Sequence, residues 1–481
     1  MTAPAYTGPE LCARTATEVV RLLKRGEISP IELVDVAQER HSQTDTAINA
    51  MPTVCFDRAR DAARTITQGH AADPRLLHGL PLGIKDLLPV EGVRTTFGTP
   101  GLADYMPEAS DPLVTRIEAR GGLVIGKTNT PEFGAGANTF NAVLGTTRNP
   151  WDTRLNPAGS SGGAAAQLIT GQAWLSHGSD HGGSLRTPAA YCGVVGLRPS
   201  PGIAGGGPDA AGFIIEGLQG PMARNVRDCA LFLDVMAGFD PVFPISYPPD
   251  AAGPYQEAVD RAEGALRIAW SADLDGECPV DPDMLTHLED ALAQLARDGH
   301  HIDAPDISLP NMKRTYYTLR GILWASLMRD IDPSIRAGFK STLEDNIQRG
   351  LALTMDDIVD AQTGRTTIYH NLRKLLLDFD VLACPVVGCM PKPVEVEWIK
   401  GVGGQGFDFY MDWLAHAFPA TVAGLPAMSV PVGLTKDGLP VGLQLVGRPR
   451  GEAALLAAAA LVERAVGGPL PVIDPLVRHQ A

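Results

Sequence analysis

The chain has 481 residues, 44% hydrophobic and 20% charged, which excludes a disordered or fibrous protein and allows a sizeable core. Forty basic residues against 55 acidic ones give a formal net charge of −15, which works against nucleic acid as a partner. Glycine is over-used, at 52 residues, above the average share of about 7% and without a collagen period.

Met1 to Glu10 carries no basic region followed by an apolar stretch, so no secretory signal is expected. From Glu10 to about Thr67 the spacing is helical, with Val19, Leu22 and Leu23 on one turn pattern and Ser29-Pro30 as a helix-start signal. Residues 1–70 are read as a helical cap. From Gly79, apolar runs such as Leu80 to Val90 and Gly122 to Gly126 alternate with helix-like pieces such as Pro112 to Arg120, which predicts an α/β sheet. Gly, Ser and Ala dominate residues 158–220. Further on, Leu266 to Trp270 reads as a strand, and Pro282 to Asp298 as a helix stopped at Gly299. Met428 to Leu434 and Val441 to Val446 flank Lys436-Asp437-Gly438 and read as a hairpin. With no repeat and no linker-like segment, residues 1–481 are expected to form one large domain.

Seven cysteines (Cys12, Cys55, Cys192, Cys229, Cys278, Cys384 and Cys389) include no Cys-x-x-Cys pair and no zinc spacing. They read as reduced thiols in a cytoplasmic protein, with Cys192 a small buried residue. The longest nearly uncharged run, Leu155 to Ser179, is broken by Pro157 and rich in Gly and Ser, so no membrane span is expected.

Two catalytic patterns match by letter and fail by context. Gly121 to Thr128 satisfies the phosphate-loop pattern, but its middle, Leu123-Val124-Ile125, is strand material and a helix precedes it where a strand is required. Gly159-Ser160-Ser161-Gly162-Gly163 matches a nucleophile elbow centred on Ser161, but Asn149 to Pro157 upstream is turn material rather than a strand.

A third reading uses Gly159-Ser160-Ser161-Gly162-Gly163, Gly178 to Ala190, Cys192 to Pro199 and, upstream, Gly79-Leu80-Pro81-Leu82-Gly83-Ile84-Lys85-Asp86. Together these segments closely resemble the amidase signature family. Gly126 to Phe133, Asn149-Pro150-Trp151 and the run from Gly424-Leu425-Pro426 to Gly447-Arg448-Pro449 extend the resemblance, which weakens over about 240–380. The resemblance implies an α/β amidase signature fold, a large mixed twisted β-sheet covered by helices on both faces. It assigns residues 79–220 to the catalytic core, 240–380 to a variable substrate-pocket region and 415–449 to a C-terminal core segment.

The resemblance also makes Ser184 the nucleophile, Ser160 a bridging serine on a cis peptide bond and Lys85 the base, with no metal or organic cofactor. A serine hydroxyl needs a neighbour to accept its proton, and lysine accepts one only when neutral. Leu82, Ile84, Leu87 and Leu88 beside Lys85 favour the uncharged amine by desolvation. Backbone N–H groups of His181, Gly182, Gly183 and Ser184 would form the oxyanion hole. Asp180 and Arg186 are read as a buried supporting pair, and Ser161 as bonding locally. Gly134, Ala135, Gly136 and the side chain of His181 are candidate substrate contacts. The small residues Gly134 to Ala137 suit either room for a bulky group or a tight backbone crossing. Tyr316, Tyr317, Trp324, Trp398 and Trp413 are aromatic candidates for pocket walls.

The expected activity is hydrolysis of a small-molecule amide, aryl amide, carbamate or ester by a monomer or homodimer, with neither nucleic acid nor membrane as partner. The rivals are a glutaminase subunit of a transfer-RNA-dependent amidotransferase and a catalytically silent scaffold on the same fold.

Overall fold

The computed structural model describes residues 4–66, 76–205, 211–249 and 253–479. Parts of the expected cap (1–3 and 67–70) and of the glycine-rich stretch (206–210) therefore lie outside the described residues.

Local signals set the helix boundaries near the N-terminus. Ser29 caps the helix Pro30–Ile48 in a capping box with Glu32, and Pro30 occupies the first turn, where its missing N–H costs no hydrogen bond. The helix Ala16–Lys24 buries Val19, Val20 and Leu23. Its first N–H groups, from Ala16 and Thr17, donate to the carboxylate of Asp228 at 2.7 and 2.9 Å. The cap is not purely helical: Thr53–Val54 forms a strand that joins the main sheet. Two residues are too few to show a period in sequence.

Among the described residues that sheet has eleven strands. In chain order they are β1 (Thr53–Val54), β2 (Leu80–Lys85), β3 (Gly122–Thr128), β4 (Leu175–Asp180), β5 (Val195–Arg198), β6 (Leu218–Ala223), β7 (Arg267–Trp270), β8 (His301–Asp303), β9 (Val381–Pro385), β10 (Ala427–Leu434) and β11 (Pro440–Val446). Across the sheet the order is β1-β3-β2-β4-β6-β5-β10-β11-β9-β7-β8. It is mixed: β2 runs parallel to β3 and β4, whereas β4, β6, β5, β10 and β11 pair antiparallel in succession. The expected hairpin is β10 and β11, with Ser429 opposite Gln444.

Strand alternation divides the sheet into two faces. On β10 and β11, Met428, Val430, Leu443 and Leu445 join one core with Leu455 and Leu456 of the helix Glu452–Ala465. Ser429 and Gln444 point the other way, where Gln444 meets Arg186 of the helix Arg186–Cys192. A second core on that side packs Leu382, Cys384 and Val446 against Tyr316 and Phe418. The helix Met312–Met328, from the expected pocket region, is thereby held over the loops that follow β2 and β4.

Candidate active site

Lys85 is the last residue of β2, a strand buried along its length, and its side chain is fully enclosed. Its Nζ lies 2.6 Å from Ser160 Oγ and 2.9 Å from both Ser161 Oγ and Ser179 Oγ. Burial pulls the amine down from 10.5 to about 7, against the opposing pull of the Asp180 charge. Lys127 on β3 has different partners. That buried lysine forms an ion pair with Asp86 at 3.0 Å and donates to Leu88 O and Thr95 Oγ1; burial pulls its amine down, and the carboxylate of Asp86 opposes that pull. Lys127 belongs to the phosphate-loop pattern, and the segment is strand β3.

Glycines let the serine loop approach its neighbours. The Gly159–Ser160 peptide bond is cis. Ser161 stands at the N-cap of the helix Gly162–Ile169, yet its hydroxyl does not cap it, being turned to Lys85 instead. A Cβ at Gly163 would lie 2.4 Å from Ala50 O and Asn129 N, so only glycine permits this packing. Ser179 is a contact that sequence reading missed. It lies on β4 two residues from His177, whose Nδ1 accepts the Lys85 backbone N–H at 3.4 Å, and the two-residue period turns both toward β2.

Asp180 ends β4 and organises the turn that carries Ser184. Its carboxylate accepts the N–H groups of Gly183 (3.2 Å) and Leu185 (3.1 Å) and pairs with Arg186 (2.8 Å) and Arg198 (3.4 Å). All three charged side chains are fully buried, and the two guanidinium groups hold the carboxyl well below its ordinary range. Arg198, on β5, was absent from the sequence-based set. Arg186 in turn donates to Gln444 Oε1 at 2.6 Å and Ala417 O at 3.1 Å. Gly183 has a φ of +96°, a conformation suited to glycine. Its N–H donates to Asp180, which shapes the turn. Among the described residues, the N–H groups of His181, Gly182 and Ser184 have no acceptor.

Ser160 and Ser184 line one cavity of about 410 Å³. Its walls are mostly apolar, with Leu87, Phe97, Phe133, Leu323, Trp324 and Met411 among them. Gly134 and Gly136 also line it; Ala135 does not, being buried against Trp324 and Ile347. A Cβ at Gly134 would lie 3.3 Å from Ser160 Oγ and 3.0 Å from Leu87, so the missing side chain is space beside the serine. His181 lines the cavity, its Nδ1 lies 3.0 Å from the Tyr316 hydroxyl, and burial keeps its imidazole neutral. Of the other aromatic candidates, Trp324 faces the cavity. Tyr317 bonds Asp412, Trp413 stacks on Tyr191, and Trp398 packs with Lys400. Cys192 is buried, and none of the seven cysteines forms a disulfide.

The family model for amidases matches residues 32–456. The chain belongs to the amidase signature family. It is 35% identical to an acylamidase of Rhodococcus erythropolis over 93% of this chain and 94% of that protein. It is 33% identical to a glutamyl-tRNA(Gln) amidotransferase subunit of Moorella thermoacetica, covering 95% and 97%. Among solved structures, a bacterial aryl acylamidase of the amidase signature family superposes with a TM-score of 0.86 at 28% identity, covering 95% and 99%. A 6-aminohexanoate cyclic dimer hydrolase complexed with substrate gives 0.84 at 28%, covering 95% and 98%. This amidase signature enzyme has no group of metal-ligating side chains among the described residues, and none of its described helices is long and apolar enough to cross a membrane.

Proposed function

We propose that the protein hydrolyses C–N amide-type bonds of small molecules, aryl amides and carbamates included, through an acyl-enzyme on Ser184. The observation that carries this reading is the 2.6 Å contact between Lys85 and Ser160 in a buried site that shares its cavity with Ser184. With its pKa near 7, the Lys85 amine is neutral often enough to accept a proton. Ser184 Oγ attacks the carbonyl carbon while its proton passes to Ser160 Oγ, whose own proton goes to Lys85 Nζ. The carbonyl oxygen takes up negative charge and is met by free N–H groups of the 181–184 turn. The proton then returns through Ser160 to the leaving nitrogen, which departs as an amine. Water repeats the sequence on the acyl ester and frees Ser184.

The acylamidase relative and the aryl acylamidase structure support amides with organic acyl or aryl groups, and the apolar walls suit them. The amidotransferase relatives keep glutamine hydrolysis as the alternative; those walls favour it less, since glutamine offers little apolar surface. Unpaired cysteines suit a reducing compartment, and we place the enzyme in the cytoplasm as a monomer or homodimer. A panel of anilides, primary amides, carbamates, p-nitrophenyl esters and glutamine, run with the wild type and Ser184→Ala, tests the reading. Turnover of an amide or carbamate that vanishes in Ser184→Ala is expected. Undiminished turnover in that variant would overturn it.

A further inference from the structure

One buried cation facing the cavity has no carboxylate partner. On the helix Met312–Met328, Tyr316, Arg320 and Trp324 follow at four-residue intervals and so share a face. Tyr316 meets His181, while Arg320 and Trp324 line the cavity that holds Ser160 and Ser184. Arg320 is only 5% exposed. Its Nε donates to Asn346 Oδ1 at 2.8 Å and its Nη2 to the Tyr410 hydroxyl, both neutral groups. Among the described residues it forms no ion pair, whereas Arg186 and Arg198 share Asp180.

Neighbouring groups deepen the imbalance. Trp324 Nε1 and His181 Nε2 are enclosed without hydrogen-bond partners. Lys340 brings a second positive charge to the same side. Its Nζ has no hydrogen-bond partner and lies where a Cβ on cavity-lining Gly136 would be 2.8 Å away. The carboxylates that face it, Glu132 and Glu397, attract it without forming an ion pair. Burying a charge without a counter-charge is costly, and a ligand that supplies one recovers that cost on binding.

We propose that this wall is a carboxylate subsite, in which Arg320 receives an acidic group carried by the amide substrate away from the scissile bond. The inference rests on the hydrolase reading for its substrate. A guanidinium fork matches a carboxylate in shape, and the Trp324 N–H is a further donor on the same face. Leu323, Leu327, Met328 and Ile331 complete an apolar wall that suits a hydrocarbon chain or ring between the acid and the amide.

Two matched pairs distinguish the side of the amide that carries the acid: the mono-anilide of adipic acid against hexananilide, and para-acetamidobenzoate against acetanilide. The wild type is expected to favour the acid in one pair by about tenfold or more in kcat/KM. Arg320→Gln is expected to lower kcat/KM for that acid about 10- to 100-fold more than for its neutral partner. Arg320→Lys should retain part of the preference. A readout without turnover uses Ser184→Ala protein, whose Tm adipate or benzoate should raise, and less so when Arg320→Gln is added. Hydrolysis of the neutral members with no acid preference and no carboxylate-induced shift would overturn the subsite and leave the hydrolase standing. An Arg320-dependent shift without turnover of any member would do the reverse. Equal losses on both members of a pair would reduce Arg320 to a structural role.

Discussion

The amine of Lys85 lies 2.6 Å from the hydroxyl of Ser160, and among the described residues no acidic side chain pairs with it. Hydroxyl partners satisfy its hydrogen bonds without bringing a negative charge into contact, whereas Asp86 opposes the effect of burial at Lys127. Burial alone therefore brings the Lys85 pKa close to neutrality, where a base can take up a proton and return it.

A pH profile should show this directly. With the neutral amine as the proposed working form, kcat/KM is expected to rise with pH through about 7 and then level off. Lys85→Ala should lower kcat at least about 10³-fold, because residues that act as a unit fail together. Full activity in that variant would sink the mechanism. The same shift bears on stability: between about 7 and 10.5 the unfolded chain binds more protons at this site, so the Lys85 contribution rises with pH across that window. The unfolding free energy of wild type minus Lys85→Met, measured by urea titration at several pH values, should climb over the same range.

Serine substitutions should separate by role. A fluorophosphonate is expected to label the wild type at Ser184 and to leave Ser184→Ala unmodified, as read by peptide mass. Ser160→Ala should cost several orders of magnitude in kcat. Ser161→Ala and Ser179→Ala each remove one hydroxyl around Lys85 at 2.9 Å. About tenfold is expected for each, the scale of one hydrogen bond. Equal losses at Ser160 and Ser179 would argue against a relay through Ser160.

Asp180→Asn leaves two fully buried guanidinium groups sharing an uncharged partner. A loss of about 3–5 kcal/mol in unfolding free energy is expected, measured by denaturant titration. The wild-type carboxyl is depressed, so its contribution is present above the ordinary carboxyl range and fades as pH falls below about 4. A variant as stable as wild type at pH 7 would show that Asp180 does not brace this turn.

Gly134→Ala places a methyl group 3.3 Å from Ser160 Oγ at a φ of +73°. Loss of kcat/KM should be larger for bulky aryl substrates than for small primary amides, checked across one substrate series. His181→Thr tests the imidazole, which is neutral and in contact with Tyr316. A changed substrate profile is expected; an unchanged one would confine His181 to its backbone.

Much of the architecture was legible because its signals are local. Ser29-Pro30 starts a helix through capping, Pro282 to Asp298 matches the helix Pro282–Arg297 nearly end to end, and the turn Lys436-Asp437-Gly438 joins β10 to β11. The two strand residues Thr53 and Val54 were hidden in a helical stretch, since a strand that short has meaning only beside its partner β3. At the site, the meeting of Lys85 with Ser160 beside Ser184 was readable from motif context, and so was the proximity of Asp180 to Arg186, six residues apart in the chain.

By itself, then, the sequence determined which residue types gather around the chemistry. Glycine clusters at residues 158–220 because only a backbone without side chains can approach as closely as Gly163 approaches Asn129, or turn as Gly183 does. The tertiary structure alone decided which hydroxyls share Lys85, that Arg198 and Gln444 complete the Asp180 network, and that Arg320 faces the cavity with no counter-charge among the described residues. Those contacts join residues as far as 258 positions apart, as for Arg186 and Gln444. Distances and desolvation arise only when strands and helices pack, and they set which amine is pulled toward neutrality and which buried charge lacks an ion-pair partner among the described residues.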